Sequence, residues 1–276
     1  MLKRSLSLAI LCMLAFASPA AAQAPRAGLQ MWRLDCGEIH ITDLNVFSDA
    51  WQYEGQQKTL TDSCYLIRNG NRYLLWETGL AGDMVGRTVE SPIGRMTLSA
   101  RIRDQLARIN VRPEQVNFIG ISHYHDDHTG QAADFPGATL LIGTADWEAI
   151  RARPESAARF GPWIEGGATV QPVPRDQDVF GDGSVIMLNM PGHTPGHHSL
   201  LVRLPQRGAV LLTGDLYHFT AQVANAGVPS FNTHRGDTLA SFARFRAIAE
   251  SLRATVVIQH EADDIAKLPA FPDSAR

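Results

Sequence analysis

The sequence predicts an α/β sandwich, with sheets inside and helices outside. Two observations lead there. Short apolar strand-like runs come in groups with helical periods interspersed, which favours packed layers over an all-β or all-α domain. The most apolar runs also end on ligating side chains, the pattern of a rigid scaffold that aims several groups at one point. No repeat, low-complexity segment or Pro/Gly/Ser-rich linker divides the chain after its first residues. A single domain is therefore expected over 23–276.

Residues 1–22 read as an export signal. Lys3 and Arg4 give a positive start, 6–16 is an apolar stretch of signal length, and Ala20, Ala21 and Ala22 are the small residues of a cleavage point. That stretch is shorter than the roughly 20 residues of a membrane span, and no other segment is long and apolar enough for one. The mature chain is expected in the periplasm or secreted. Cys12 lies inside the signal. Cys36 and Cys64 remain, each on a strand-like segment, either as a disulfide or as two separate buried thiols.

The elements follow in order. Runs 37–45, 63–68 and 72–77 have strand composition, and Asn69-Gly70-Asn71 between the last two is a hairpin signal. The Gly-containing, aperiodic stretch 79–95 reads as a loop. Leu98, Ile102, Leu106 and Ile109 share a helical face, giving a helix over 97–108. Strand 115–122 runs straight into His123. Strand 138–142, helix 145–152 and strand 168–172 come next. Strands 184–189 and 199–204 flank a Pro-Gly-rich turn. Strand 209–213 leads to Asp215, and helix 238–253 is followed by strand 254–258, which leads to His260. The stretch 222–234 reads as irregular.

Composition excludes several classes. With 45% hydrophobic and 19% charged residues, the chain is neither disordered, collagen-like nor a disulfide-built miniprotein. A net charge of −3 argues against a nucleic-acid binder driven by phosphate neutralisation.

The ten histidines carry the positive signal. His123, His125, Asp127 and His128 form H-x-H-x-D-H just after an apolar strand, and Thr129-Gly130 permits the turn that lets them converge. Imidazole and carboxylate suit zinc and similar divalent ions. His193 stands in the stiff turn Pro191-Gly192-His193-Thr194-Pro195-Gly196-His197-His198, and Asp215 and His260 end apolar strands. Five His and two Asp suffice for two ions that share one carboxylate.

Together these motifs resemble the metallo-β-lactamase-fold hydrolases, and most closely their N-acyl-homoserine lactonase branch. The resemblance runs from about Gly37 to His260. It implies an αβ/βα sandwich of two mixed sheets with helices on the outer faces and the metals at the edge between the sheets. His123, His125 and His193 would hold one divalent ion, Asp127, His128 and His260 the other, and Asp215 would bridge. Zinc is the leading metal, with cobalt, manganese and iron as alternatives. Such a pair of ions activates water against a small-molecule lactone or ester. Asp127 would pass a proton to the leaving alkoxide, and Tyr217 would contact the carbonyl, although it follows Asp215 at a slightly different offset from the branch's tyrosine. The resemblance leaves a homodimer open.

A second departure is Glu77, where members often carry Asp. Its longer arm is expected to orient a metal-bound imidazole, and His197 is expected to support the site from the Pro-Gly turn. Trp51, Tyr53, Phe219 and Phe231, with Val228, are the candidate walls of an acyl pocket. His40, His198 and His234 are read as ordinary polar residues. The same site would also suit a metallo-β-lactamase or an organophosphate triesterase. A metal-binding protein without activity is disfavoured, because no ligand is missing. No Gly-x-Ser-x-Gly elbow points to a serine hydrolase.

Overall fold

The computed structural model describes residues 28–276, so the expected export signal and Cys12 lie outside the described residues. Among the described residues there are thirteen strands: β1 (Gln30–Ile41), β2 (Lys58–Asn69), β3 (Arg72–Trp76), β4 (Thr88–Ser91), β5 (Gly94–Thr97), β6 (Phe118–Ile121), β7 (Thr139–Gly143), β8 (Val170–Val173), β9 (Gln177–Asp178), β10 (Val185–Asn189), β11 (His198–Leu204), β12 (Gly208–Leu212) and β13 (Thr255–Val257). The helices are α1 (Ile102–Arg108), α2 (Asp126–Thr129), α3 (Thr144–Arg151), α4 (Ala157–Ile164), α5 (Thr220–Asn225), α6 (Arg235–Leu252) and α7 (Ala262–Ile265).

The strands make two mixed sheets. One has the order β4-β5-β1-β2-β3-β6-β7-β8, antiparallel up to β3 and parallel beyond it. The other has the order β13-β12-β11-β10-β9, antiparallel except for the β12–β13 pair. Side-chain alternation along each strand divides the core. Tyr65, Ile67, Leu74 and Trp76 meet Val185, Met187, Leu200, Val202, Val210 and Leu212 between the sheets. Their neighbours Leu66 and Leu75 face the other way, toward Ile102 and Leu106 of α1, Trp147 of α3, and Phe160 and Trp163 of α4. Beyond the second sheet, Leu188, Leu201 and Leu211 pack on Phe242 and Phe245 of α6. The result is the helix–sheet–sheet–helix layering expected of the sequence.

Four local expectations are corrected. The first strand begins at Gln30 and ends at Ile41, earlier than 37–45, because it must pair with the whole of β2. The loop 79–95 contains β4 and the start of β5, an edge hairpin whose exposed residues show no apolar alternation. Helix α4 was not anticipated, and Pro162 inside it hides the helical signal. Helix α5 interrupts the stretch read as irregular.

Cys36 on β1 and Cys64 on β2 form a disulfide with a Cα–Cα distance of 5.8 Å. Leu34 pairs with Cys64 in the ladder, and the irregularity between Asp35 and Gly37 shifts the register at Cys36. No helix among the described residues is long and apolar enough to cross a membrane.

Candidate metal centre

The site sits where strands from both sheets end. β6 delivers His123, β12 delivers Asp215, β13 delivers His260, and the turn between β10 and β11 delivers His193. The remaining three residues depend on one short turn, α2. His128 N–H donates to the His125 carbonyl at 3.1 Å, and Thr78 fastens the turn from outside by donating to the His128 carbonyl through N–H and hydroxyl. Gly130 follows with an ordinary right-handed backbone. Its glycine is required by close approach instead, since a Cβ there would lie 2.3 Å from the backbone nitrogen of Ala81.

Two groups of ligating atoms result. His123, His125, His193 and Asp215 form one, and Asp127, His128 and His260 the other, with the atoms in each within 4.8 Å of one another. Asp215 lies between the groups. Its Oδ2 faces Nε2 of His123 at 3.6 Å and of His193 at 3.4 Å, while Oδ1 faces Nε2 of His128 at 3.1 Å and of His260 at 3.0 Å. Asp127 reaches the second group only at 3.8 Å, and its side chain is 23% exposed.

The chemistry of these donors fits divalent cations. His125 Nδ1 lies 2.8 Å from His123 Nε2 and 3.1 Å from His193 Nε2, so three ring nitrogens converge where at most one proton fits between any two. His128 Nε2 is buried without a hydrogen-bond partner. Burial drives the His193 imidazole down to about 3, and burial with neighbouring imidazoles holds His123 well below its usual range. Both are therefore neutral, the form that ligates. Burial opposes charge on His128 and His260 too, but Asp215 and Asp127 outweigh it, joined at His128 by Glu77. His128 is held well above its ordinary range, and His260 is carried to about 9. Burial likewise works against the Asp215 carboxylate, yet the surrounding imidazoles hold it well below the usual range. The centre thus attracts positive charge on its carboxylate side and offers bare nitrogens on the other.

Supporting contacts fix these rings. Glu77 is fully buried at the end of β3 in a left-handed backbone conformation, with φ of 66°. Its carboxylate accepts from Ser122 N–H at 3.2 and 3.3 Å and lies 3.3 Å from His128 Nδ1. His260 Nδ1 donates to the Thr61 carbonyl. His197 Nδ1 donates to the Met190 carbonyl, leaving Nε2 to accept from Asp215 N–H at 3.0 Å. Asp146 of α3 accepts from Thr194 hydroxyl and Gly196 N–H, both at 2.7 Å, and so anchors the His193 turn.

Beside this centre is a cleft of about 300 Å³, walled by Ile39, Ile41, Phe47, Leu60, Ile93 and Phe231. Of the expected pocket residues only Phe231 lines it. Trp51 is 78% exposed and outside the cleft. Tyr53 and Phe219 are buried behind it, packed on each other, with Phe219 against Phe47 and the Tyr53 hydroxyl bonded to Asn225. Val228 is buried in the packing beneath α6. Ile39 and Ile41 of β1 and Leu60 of β2 supply walls, joined by Phe47 and Ile93 from the connecting segments.

Tyr217 is a further correction. It points away from the centre, stacked on Phe242 at 4.4 Å, and burial raises its phenol to about 12. The next residue, His218, faces the centre instead, with Nε2 3.1 Å from Asp215 Oδ2. Sequence reasoning missed it, since the neighbouring tyrosine drew the assignment. Of the other histidines, His40 lies near the Thr59 hydroxyl, His198 is buried against the Gly196 carbonyl, and His234 caps α6.

Comparison with known proteins agrees with this architecture. The Metallo-beta-lactamase superfamily profile matches residues 60–260. N-acyl homoserine lactonase AttM of Rhizobium radiobacter is 33% identical over 186 residues, 62% of this chain and 67% of that protein. A solved N-acyl homoserine lactone hydrolase, with the product N-hexanoyl-L-homoserine bound at its catalytic metal centre, superposes with a TM-score of 0.75 at 23% identity. The match covers 89% of this chain and 98% of the other. AidC, described as a dizinc quorum-quenching lactonase, superposes with a TM-score of 0.64 at 16% identity over 90% of each chain.

Proposed function

The chain belongs to the metallo-β-lactamase superfamily, and on that footing we propose that it is an exported dinuclear metal hydrolase that opens lactones. N-acyl-homoserine lactones are the leading substrates, with quorum quenching as the outcome. The observation that carries this reading is the convergence of the two ligating groups on one shared carboxylate, Asp215, at the inner end of an apolar cleft. The named activity of the AttM relative supports the substrate class.

His123, His125, His193 and Asp215 would hold one divalent ion, and Asp127, His128, His260 and Asp215 the other, with zinc the leading metal. Two such ions supply a nucleophilic water at neutral pH and polarise a carbonyl. The chain's own residues do the rest. Phe47, Phe231 and the β1–β2 aliphatics take the acyl chain and exclude water from it. Asp127, at the cleft and partly exposed, is placed to carry a proton to the alkoxide released when the ring opens. Glu77, Ser122, Thr61 and Met190 hold the imidazoles and His197 in single orientations. The N-terminal signal and the Cys36–Cys64 bond both support an oxidising compartment.

The test is turnover by the metal-loaded protein of an N-acyl-homoserine lactone, a chromogenic β-lactam and an aryl phosphotriester. The lactone is expected to be hydrolysed with the highest kcat/KM. A β-lactam or phosphotriester turned over far faster would sink the lactonase reading.

A further inference from the structure

We propose that a cavity against β1 and β2, separate from the cleft, binds a small zwitterion of the amino-acid class, with its ammonium on Asp62 and its carboxylate on Arg33. The inference does not rest on the lactonase reading.

A bulge sets up the site. Asp35 pairs with Ser63 and Gly37 with Asp62, so Cys36 is the extra residue of β1. Bulges re-aim the side chains around them, and Gly37 brings no side chain to cover Asp62. Asp62 is 2% exposed. Its Oδ1 accepts from Gln259 Nε2 at 3.1 Å, but Oδ2 is buried with no hydrogen-bond partner, and so is Oγ1 of the neighbouring Thr61. Asp62 forms no ion pair among the described residues. A buried carboxylate without a counter-charge is costly, and burial accordingly pushes the Asp62 carboxyl well above its ordinary range. A ligand ammonium beside Oδ2 would offset that cost.

Gly37, Thr61 and Asp62 line a cavity of about 500 Å³, the size of a small-molecule site. It shares no lining residue with the cleft beside the metal centre. Arg33 of β1 lines it as well, half-buried and without a hydrogen-bond or ion-pair partner among the described residues. Ile265 and Phe271 supply apolar wall. Asp35, Glu38 and Arg108 complete the rim, where they are exposed to water, and Arg108 lies over the Phe271 ring at 4.8 Å. The two inner charges select the ligand. A bare cation drawn to Asp62 would meet the Arg33 guanidinium, and a bare anion drawn to Arg33 would meet Asp62, whereas a molecule carrying both charges answers both. A metal ion is not favoured, because the two gathered sets of ligating atoms among the described residues both lie at the metal centre.

The experiment is isothermal titration calorimetry of the intact protein with each standard amino acid, then of the tightest binder beside its decarboxylated amine and its deaminated acid. At least one amino acid should bind saturably, with a Kd of about 1 mM or below. Each one-charge analogue should bind at least about 10-fold more weakly, since it forfeits one charge-assisted contact. Asp62→Asn keeps an oxygen for Gln259 and removes the charge, and it should weaken the amino acid by about 10-fold or more. Arg33→Gln removes the other charge at a half-buried position, should weaken it likewise, and decides the matter if Asp62→Asn does not fold. No saturable binding by any amino acid, an amine or acid that binds as tightly as its parent, or wild-type affinity in the folded variants would overturn the inference.

Discussion

Replacing Glu77 by alanine tests how far the centre depends on a residue that touches no substrate. Its carboxylate is fully buried, accepts from Ser122 N–H and lies beside His128 Nδ1. Removing it strands the buried Ser122 N–H and leaves His128 Nδ1 only a long 3.4 Å contact with the Ser122 hydroxyl. At about 1–3 kcal/mol for each weakened or stranded group, the metal-free protein should lose about 2–6 kcal/mol. Alanine inherits the left-handed backbone, so no relief of strain offsets that loss. His128 would also be free to turn or to move its proton to Nε2, the atom that faces Asp215. Metal affinity should therefore fall about 10- to 100-fold. Urea unfolding of the metal-free protein and chelator competition measure the two effects separately. Stability within about 0.5 kcal/mol of wild type, together with unaltered affinity, would refute the assignment of Glu77 as the residue that positions His128.

Three further outcomes are expected. Tyr217→Phe should keep both metal content and kcat within about twofold of wild type, since the phenol is stacked on Phe242 away from the cleft; a large loss of rate would return Tyr217 to the reaction. Replacing Cys36 and Cys64 by serine should cost about 3–4 kcal/mol by the chain-entropy account of a 28-residue separation, read by urea unfolding without reductant. Burial raises the Asp146 carboxyl to about 6, above its unfolded value, so its protonated form is favoured in the native state. That contribution is present at acid pH and is lost as pH rises from about 4 through 6, amounting to about 3 kcal/mol by pH 7. Asp146→Asn should remove this slope while keeping an oxygen for Gly196, and parallel stability–pH curves for the two proteins would contradict it.

Much of the centre was legible in the sequence because His123, Asp215 and His260 follow apolar runs and the other four ligands fall in two compact motifs beside them. A short apolar strand announces itself by composition, and the residues just beyond it are fixed in space by the ladder, as with His123 after β6 and His260 after β13. The cleft was not legible for the opposite reason. Ile39, Ile41 and Leu60 wall it from regular strands, where an apolar residue looks the same whether it faces a core or a ligand. Loop aromatics such as Trp51 and Tyr53 were more conspicuous and less relevant. Tyr217 and His218 show a third limit. Adjacent residues after a strand point to different sides, and only the stacking of Tyr217 beneath α6 decides which one faces Asp215. The β4–β5 hairpin escaped because exposed edge strands need no apolar alternation.

The most direct test of the central claim is elemental analysis of wild type beside Asp215→Ala, after loading with zinc and removal of the excess. One carboxylate shared by both groups predicts two ions per wild-type chain and loss of tight binding at both positions in the variant. Two ions retained by Asp215→Ala, or none bound by wild type, would contradict the account.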